Sequence, residues 1–437
     1  MPYIARIAYT CLFSLLLPLL LLKMAWRNLR DKKGDRKAGS RLRLLERMGL
    51  RAPYVGQTYK TGGVVFHVVS VGEAIAATHL IREFYQHNPG TPICVTCTTP
   101  TGSNLIQKKL GDIASHCYLP FDLPIFLAFF LNRLQPTALF ILETEIWPNL
   151  NAICHQRKIA LTLINARLSQ KSVRGYQKIL PLARPAVLAF DKILCQNDSD
   201  QAHFLAIGAN KENCHVLGNL KFDIHLDDAL IEKASQIHGD IFSNRACWIA
   251  ASTHPGEDES ILFAHKKLLE TFPELVLILA PRHPQRAADV SQICEKLSLP
   301  VVLRTQEQRL ANNENVFILD TIGELMPFYR LGHVCFIGGS IIEHGGHNPL
   351  EPALLKKPII SGPHVHNFQK VFDELQTENA VQMLNDGESM AEKILFLFEN
   401  ESEATAMGER AFHYLDQHRG ATSKTLEVLT KMSNKKL

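Results

Sequence analysis

Short apolar runs alternate with helical patterns along most of this chain. Each run is continuous rather than alternating between apolar and polar residues, which is typical of parallel strands covered on both faces. Helical stretches of about 10 to 15 residues separate the runs, and this order predicts βαβ units. The predicted strands are 64–71, 92–98, 138–143, 159–165 and 192–196 in the first half, and 247–252, 275–281, 300–304, 315–320, 333–339 and 358–362 in the second.

A polar and partly helical stretch at 224–245 interrupts this alternation. The pattern therefore predicts an α/β protein of two doubly wound, Rossmann-like domains that face a cleft, at 60–235 and 236–437. A chain of 437 residues also exceeds one typical core. Ligands bind such sheets outside the carboxyl ends of the strands, so side chains that follow a strand are the candidates for chemistry.

An uncharged apolar stretch runs from Ile7 to Leu22 near the N-terminus. Tyr3 and Ile4 extend it, and Arg6 is free to snorkel to a membrane interface. A cleaved signal peptide is one alternative, but no small-x-small cleavage site follows the stretch. A buried N-terminal helix is the other. We expect residues 1–22 to form a single-pass membrane anchor helix.

A basic segment, 23–59, follows this anchor. Between Lys23 and Leu50 it holds ten Lys and Arg residues against three acidic ones. The positive-inside rule places the segment, and the body that follows it, in the cytoplasm. Trp26 and the basic cluster would then contact an anionic membrane surface.

Composition narrows the class of protein further. The chain is 46% hydrophobic and 21% charged, as a globular protein is, and its net charge of +4 is too small to indicate a nucleic-acid partner. Several of its cysteines lie in apolar runs, as reduced and buried thiols do in a cytoplasmic protein. Cys94 and Cys97 form a CxxC pair without a second pair, so zinc or redox chemistry is not favoured there.

The segment FIGGSIIEHGGHNPLEPA, residues 336–353, carries the most specific chemistry. Its two Gly-Gly pairs allow positive φ and close backbone approach. Pro349 fits the first turn of a helix, whose free N–H groups and dipole favour a phosphate. Glu351 lies where it would accept hydrogen bonds from sugar hydroxyls. We expect capture of a nucleotide-linked sugar, with an ordinary strand–turn–helix corner as the alternative. The same pocket is assigned Ser340, Asn348 and Leu350.

Carboxylates follow two strands of the first half. Glu73 is either the general base that an inverting sugar transfer needs or a helix-start acid that complements the dipole. Glu143 and Glu145 are expected to point to different sides of the chain, one toward an acceptor sugar and one bracing its loop, with structural capping as the alternative. Asp122 is a similar, weaker candidate. Lys221 either faces a donor anion or is an ordinary surface lysine.

Polar residues also follow two strands of the second half. Arg282 offers a fixed donor fork to phosphate or carboxylate, and His283 follows it between two braced prolines. Plain solvation of a strand end is the alternative. Ser252 suits an anion near a helix start and suits a helix N-cap equally well.

Histidine pairs raise the question of a metal. His344 with His347, or His364 with His366, have ligand-type side chains. No carboxylate stands at the usual ligand spacing, and a glycine-rich loop is a poor rigid scaffold for a metal. We therefore expect no metal site.

Together these motifs resemble those of the Kdo transferases, which transfer 3-deoxy-D-manno-octulosonic acid (Kdo) in lipopolysaccharide assembly. The resemblance spans about residues 60 to 370. One departure is Gln285, which stands where an acid is common, and it affects no role assigned above. The motifs are HVVSVGE (67–73), PFDLP (120–124), ETEIWPN (143–149), NARLS (165–169), LGNLKFD (217–223), ASTHPGEDE (251–259), PRHPQR (281–286), DTIGEL (320–325) and the segment 336–353.

The resemblance implies a GT-B glycosyltransferase with the acceptor on the first domain and the donor on the second. A C-terminal helix within 401–431 would cross back to the first domain. The implied reaction moves Kdo from CMP-Kdo to a lipid A precursor (lipid IVA) with release of CMP, at the cell inner membrane. It needs no cofactor, since CMP-Kdo is a substrate, and no metal. Glu73 becomes the general base. The CMP-binding residues become Arg282, His283, Ile322, Gly323, Glu324, Asn348, Pro349, Leu350 and Glu351.

Two rival functions remain at this point. A sugar-nucleotide 2-epimerase shares the fold and the glycine-rich donor loop, but it needs neither residues 1–50 nor an acceptor. A lipid-binding scaffold without activity would not need Glu73 and the donor residues.

Overall fold

The computed structural model describes residues 2–30, 43–51, 55–56, 59–69, 71–224 and 228–433. The chain divides into two compact units. The first unit comprises residues 1–223 and 419–437, and the second unit comprises residues 224–418. Much of the basic segment predicted at 23–59 lies outside the described residues.

The described strands of the first unit are numbered β1 to β8 in chain order, from Val55–Gly56 (β1) to Cys214–Val216 (β8). They form one sheet in the order β1-β4-β3-β2-β5-β6-β7-β8. The short β1 pairs antiparallel with β4, and all other neighbours are parallel. Apolar side chains cover both faces, and on one face Phe66, Phe84 and Phe140 pack ring to ring. In chain order the strands are Val55–Gly56, Val64–His67, Ile93–Cys97, Ser115–Tyr118, Ala138–Leu142, Ala160–Ala166, Lys192–Cys195 and Cys214–Val216.

Helices connect these strands, and three successive ones begin with proline, whose fixed φ and missing N–H suit the first helical position. The helices of the first unit are Pro2–Arg30, Arg43–Arg47, Val71–His87, Pro100–Leu110, Pro124–Leu134, Pro148–Gln156, Gln170–Lys178, Leu180–Leu188, Asp198–Ala206 and Ala421–Ser433.

The observed division of the chain lies at 223/224 rather than at the predicted 235/236. The stretch expected to connect the domains holds the helix Asp228–Asp240, whose buried Ala234 and Ile237 belong to the core of the second unit. The last helix, Ala421–Ser433, belongs to the first unit, because Leu426 and Leu429 pack into one of its hydrophobic clusters.

The second unit repeats the same construction. Its strands lie in the order β11-β12-β10-β9-β13-β14-β15, and every pair is parallel. The strands, in chain order from β9, are Cys247–Thr253, Val276–Pro281, Val301–Leu303, Val316–Ile318, Gly332–Ile337, Ile359–Ser361 and Val381–Met383. The helices are Asp228–Asp240, Asp258–Thr271, Ala287–Lys296, Leu325–Leu331, Leu350–Leu354, Gln369–Thr377, Gly387–Glu399 and Glu401–Gln417.

The N-terminal helix Pro2–Arg30 contains the one stretch of the described residues that is long and apolar enough to cross a membrane, Tyr3–Met24. Most of its side chains are exposed, and this alone fits an anchor and a signal sequence equally well.

Candidate functional site

Glu73 lies in the first turn of the helix Val71–His87, just beyond the carboxyl end of the strand Val64–His67. It is only 8% exposed, and its Oε2 accepts a hydrogen bond from the backbone N–H of Val69 at 2.8 Å. The strand end and the helix start thus hold this carboxylate in one place. A fixed, largely buried carboxylate at the edge of a parallel sheet has the placement that a general base requires.

Glu145 lies close enough to Glu73 for their charges to interact. Burial, and to a smaller extent the negative charge of Glu73, raise the pKa of Glu145 to about 7. At neutral pH Glu145 is therefore protonated in part of the molecules. A carboxyl group with a raised pKa beside a second carboxyl group is suited to acid–base chemistry.

Glu143 directly follows the strand Ala138–Leu142 and forms an ion pair. Its φ of 59° is in the left-handed region, and its N–H donates to the carbonyl of Ile164 at 2.9 Å. Lys221 Nζ lies 3.2 Å from Glu143 Oε1. The structure therefore brings Lys221 together with Glu143, whose charge also contributes to the raised pKa of Glu145.

In the second unit the glycine-rich loop is held by Glu257, a residue of the ASTHPGEDE motif (251–259) that was not predicted as a site residue. The side chain is fully buried. Its carboxylate accepts hydrogen bonds from the backbone N–H groups of His254 (2.9 Å), Gly339 (2.7 Å), Ser340 (2.9 Å) and Ile341 (3.0 Å). One buried anion thus fixes the loop after β13 against the loop after β9.

Glycine is required where these two loops meet. A Cβ on Gly338 would lie 2.8 Å from the carbonyl oxygen of Ser252, which is too close for any side chain. Gly339 has a φ of +68°, and a Cβ there would lie 3.0 Å from the ring of His347. Ser252 itself has a φ of 60°, in the left-handed region, near the end of the strand Cys247–Thr253.

Three imidazoles gather at this edge. One nitrogen from each of His254, His344 and His347 lies within 4.8 Å of the others, and the Nε2 atoms of His254 and His347 are 2.9 Å apart. Burial lowers the pKa of both His254 and His347, and neighbouring basic groups act in the same direction, so that the two values are about 4 and about 3. The rings of His254 and His347 are therefore neutral at pH 7.

The positive charges of two arginines determine whether this cluster favours a cation or an anion. The charge of Arg282 acts on His254 and His347, and the charge of Arg286 acts on His254. Arg286 is itself fixed by the buried Asp258 and by the carbonyl of Thr253, 3.1 Å away. Imidazoles are ligand types for zinc, but guanidinium charges beside them oppose a cation and favour an anion.

Glu351 completes this edge. Burial raises its pKa to about 7, while the charge of Arg282 and a hydrogen bond from Asn348 act in the opposite direction. Asn348 Oδ1 also accepts from the N–H of Leu350 at 3.1 Å. Pro349, expected in the first helical turn, is instead the residue that precedes the short helix Leu350–Leu354.

The loop after β12 lies next to the Arg282 loop, because β12 pairs with β10. Ile322 is 79% exposed at its tip and Gly323 has a φ of +87°. Glu324 is held by Lys233 Nζ at 2.7 Å and Arg304 Nε at 3.3 Å. Partial burial opposes its ionisation, but the hydrogen bonds from Lys233 and Thr321 and the charge of Arg304 keep its pKa below the ordinary value.

The structure thus gathers one set of predicted residues at the strand ends of each unit. His283 joins the second set, with its ring centroid 6.0 Å from that of His254. Ser340 is fully buried and donates to the carbonyl of Ile337, so it serves the loop itself. Glu257 and Arg286 were missed as site residues. The only signal for them was the dense charge of the motifs that contain them.

Solved structures share this architecture. The UDP-GlcNAc 2-epimerase of Neisseria meningitidis is 15% identical, with a TM-score of 0.57 over 84% of this chain and 100% of its own. A glycosyltransferase of Rickettsia africae is 12% identical, with a TM-score of 0.56 over 86% of this chain and 100% of its own. At these identities the likeness shows the fold alone. Two parallel α/β sheets of this kind define the chain as GT-B-like.

Sequence relatives identify the family. A family model described as 3-deoxy-D-manno-octulosonic-acid transferase (kdotransferase) matches residues 42–224. The 3-deoxy-D-manno-octulosonic acid transferase of Haemophilus influenzae is 36% identical over 368 residues, which cover 84% of this chain and 86% of that protein. The chain belongs to the Kdo transferase family, which confirms the resemblance in its motifs.

Proposed function

We propose that this protein transfers Kdo from CMP-Kdo to a lipid A precursor, with release of CMP, and so builds the inner core of lipopolysaccharide. The observation that carries the proposal is the pairing of Glu73 with Glu145 at the strand ends of the first unit. An inverting transfer needs one base for the acceptor hydroxyl. Two neighbouring carboxyl groups, one of which has a raised pKa, can accept and hold that proton.

The donor is assigned to the second unit. The anion-favouring edge formed by Arg282 and the three imidazoles suits the phosphate of CMP and the carboxylate of Kdo. Glu351 is placed for the ribose hydroxyls, and the loop of Ile322 and Gly323 for the nucleoside. The phosphate is the leaving group, so positive charge here stabilises the departing CMP.

In the proposed transfer, each bond that forms is matched by one that breaks. Glu73 takes the proton of the acceptor hydroxyl, whose oxygen forms a bond to the anomeric carbon of Kdo. The bond between that carbon and the phosphate oxygen breaks, and CMP leaves with the electron pair. Attack from the face opposite to CMP inverts the anomeric configuration. Arg282, together with Arg286, which Asp258 and the carbonyl of Thr253 hold in place, supplies the positive charge that a metal supplies in other transferases, so we expect the reaction to proceed without metal or cofactor.

The chemistry of the lipid acceptor determines where in the cell the enzyme must act. A lipid acceptor lies in a membrane, and the helix Pro2–Arg30 would hold the enzyme at the cell inner membrane, with the catalytic body on the cytoplasmic side where CMP-Kdo is soluble. No nucleic acid takes part.

The test is transfer from CMP-Kdo to a tetraacylated lipid A precursor by the purified full-length protein. We expect a Kdo-bearing lipid, and one CMP released for each Kdo transferred. CMP binding without a Kdo-bearing lipid would contradict it, and epimerisation of a UDP-N-acetylhexosamine would establish the rival enzyme class.

A further inference from the structure

The buried carboxylate of Asp122 is not needed for the proposed reaction. It is 1% exposed and accepts hydrogen bonds from the N–H groups of Asn149 at 3.0 Å and Leu150 at 2.8 Å. The hydroxyl of Tyr9, in the N-terminal helix, donates a further hydrogen bond to it, and the charge of Arg6 acts on it from the same helix. Two family motifs, PFDLP and ETEIWPN, thus converge on the apolar N-terminal helix.

Asn149 makes a second contact with that helix. Its Nδ2 donates to Thr10 Oγ1 at 3.0 Å and to the carbonyl of Asp122 at 2.8 Å. One turn further along the helix, the ring of Phe13 lies 6.5 Å from that of Phe121. The side of the helix that carries Tyr9, Thr10 and Phe13 therefore rests on the first unit through specific polar and aromatic contacts.

Much of the remaining helix surface is apolar and exposed, with residue exposures from 39% to 76%. A helix with this much exposed apolar surface, and with no charged residue between Ile7 and Leu22, is of the kind that contacts lipid. The residues concerned are Ile4, Ile7, Leu12, Leu15, Leu16, Leu19, Leu20 and Leu22.

The chain that follows the helix is fastened to the same unit. Arg47 places its guanidinium 4.1 Å from the ring centre of Tyr118, and its carbonyl accepts from the N–H of Phe121 at 2.9 Å. Glu46 accepts from the N–H of Tyr118 at 2.9 Å. Phe121 thus touches both the start of the N-terminal helix and the segment after it, so both lie on one side of any membrane that the unit adjoins.

The neighbouring helix Pro124–Leu134 extends the exposed apolar surface. It begins two residues after Asp122, and its Ile125 and Phe129 are 58% and 41% exposed. They are one helical turn apart, so they share a face. An anionic bilayer is the partner that this surface fits, because the N-terminal helix is apolar enough for lipid and the exposed Arg133 follows one helical turn after Phe129.

We propose that Asp122 and Asn149 dock the N-terminal helix on the first unit and that the helix lies along the cytoplasmic leaflet. Its outer face, together with Ile125 and Phe129, is then in lipid. The helix does not cross the bilayer, although its charge pattern predicts that it would. The docked helix fixes the first unit on the membrane surface. This inference needs membrane attachment only, and its test does not depend on transferase activity.

The first measurement is the side of the membrane on which the N-terminus lies. A protease-sensitive tag ahead of Met1 of the full-length protein is exposed to protease in intact spheroplasts and in inverted membrane vesicles. The docked helix predicts cleavage in inverted vesicles only. Cleavage in intact spheroplasts would place the N-terminus across the membrane and overturn the proposal.

The second measurement tests docking in the membrane. A Thr10→Cys, Asn149→Cys protein is oxidised in membranes, with Cys11→Ser included because Cys11 is exposed, whereas the other native cysteines are buried. The matched control pairs Asn149→Cys with Leu12→Cys on the outer face. We expect an intramolecular disulfide in the first protein and none in the control. A cytoplasmic N-terminus without this disulfide, or with equal disulfide in both proteins, would overturn the docking.

Discussion

Glu257 and Gly339 are 82 residues apart in sequence and are joined by a hydrogen bond of 2.7 Å from the backbone N–H of Gly339 to the buried carboxylate of Glu257. The same carboxylate accepts from three more backbone N–H groups. The glycine-rich loop therefore has its shape because a buried anion from another strand end satisfies its donors, and the proposed donor site depends on that anion.

Removal of this anion is expected to unfold the loop. Glu257→Ala leaves three buried N–H groups and one partly buried N–H group without their acceptor, and each buried group of this kind costs about 1 to 3 kcal/mol. We expect a loss of at least about 3 kcal/mol in the free energy of unfolding and loss of CMP binding, measured by urea unfolding and calorimetry. Glu259→Gln, an exposed acid in the same motif, is the control. Unchanged CMP binding by Glu257→Ala would contradict this role.

Arg282 is expected to dominate CMP affinity. Its charge acts on two imidazoles and on Glu351, and a charge-assisted hydrogen bond to phosphate is worth about 1.5 to 3 kcal/mol. Arg282→Gln should therefore raise the Kd for CMP about 10-fold to 100-fold in titration calorimetry. Arg410→Gln, in a surface ion pair with Glu403, should leave the Kd unchanged. Equal Kd values for the two variants would rule out this assignment.

Stability should depend on pH through Glu145. Burial, and then the charge of Glu73, raise its pKa in the folded protein from 4.5 to about 7, so its ionisation disfavours folding. The penalty is absent below the unfolded pKa, grows between about pH 4.5 and 7, and is constant above that range. Glu145→Gln should therefore raise the Tm at pH 8 and leave it unchanged at pH 4. A Tm gain at pH 4 that equals the gain at pH 8 would show that ionisation is not the cause.

Chelation is expected to have no effect on transfer. Arg282 and Arg286 place positive charge beside His254, His344 and His347, which favours an anion over a metal ion. The rate measured after treatment with EDTA should equal that of the untreated protein. A loss of rate that a divalent ion restores would instead make the three histidines a metal site.

The sequence allowed the fold to be predicted because parallel strands buried on both faces are continuous apolar runs. Ser115–Tyr118 was missed, since its sequence SHCY is half polar. Its polar atoms are satisfied inside the protein: Ser115 Oγ donates to the carbonyl of Ile93 at 3.2 Å, and His116 Nδ1 lies 2.7 Å from that of Val95. Such contacts with neighbouring strands leave no local pattern.

The candidate site was predictable in its motifs and not in its connections. Glu73 and Arg282 follow strands in the sequence, and the structure places both just beyond a strand end, whereas Glu351 lies in the first turn of the helix Leu350–Leu354. The partners of Glu257 lie in another motif, and no spacing within either motif indicates that they meet. The pairing of Glu143 with Lys221 likewise required the folded chain.

The most direct test of the central claim is the transfer rate of Glu73→Gln with CMP-Kdo and a lipid A precursor. A general base contributes about 100-fold to 10,000-fold, and the rate should fall by that factor while the Kd for CMP stays the same. Glu83→Gln, on the same helix, is the control and should transfer at the normal rate. Transfer by Glu73→Gln at the rate of the unmodified protein would contradict the assignment of the base and the mechanism built on it.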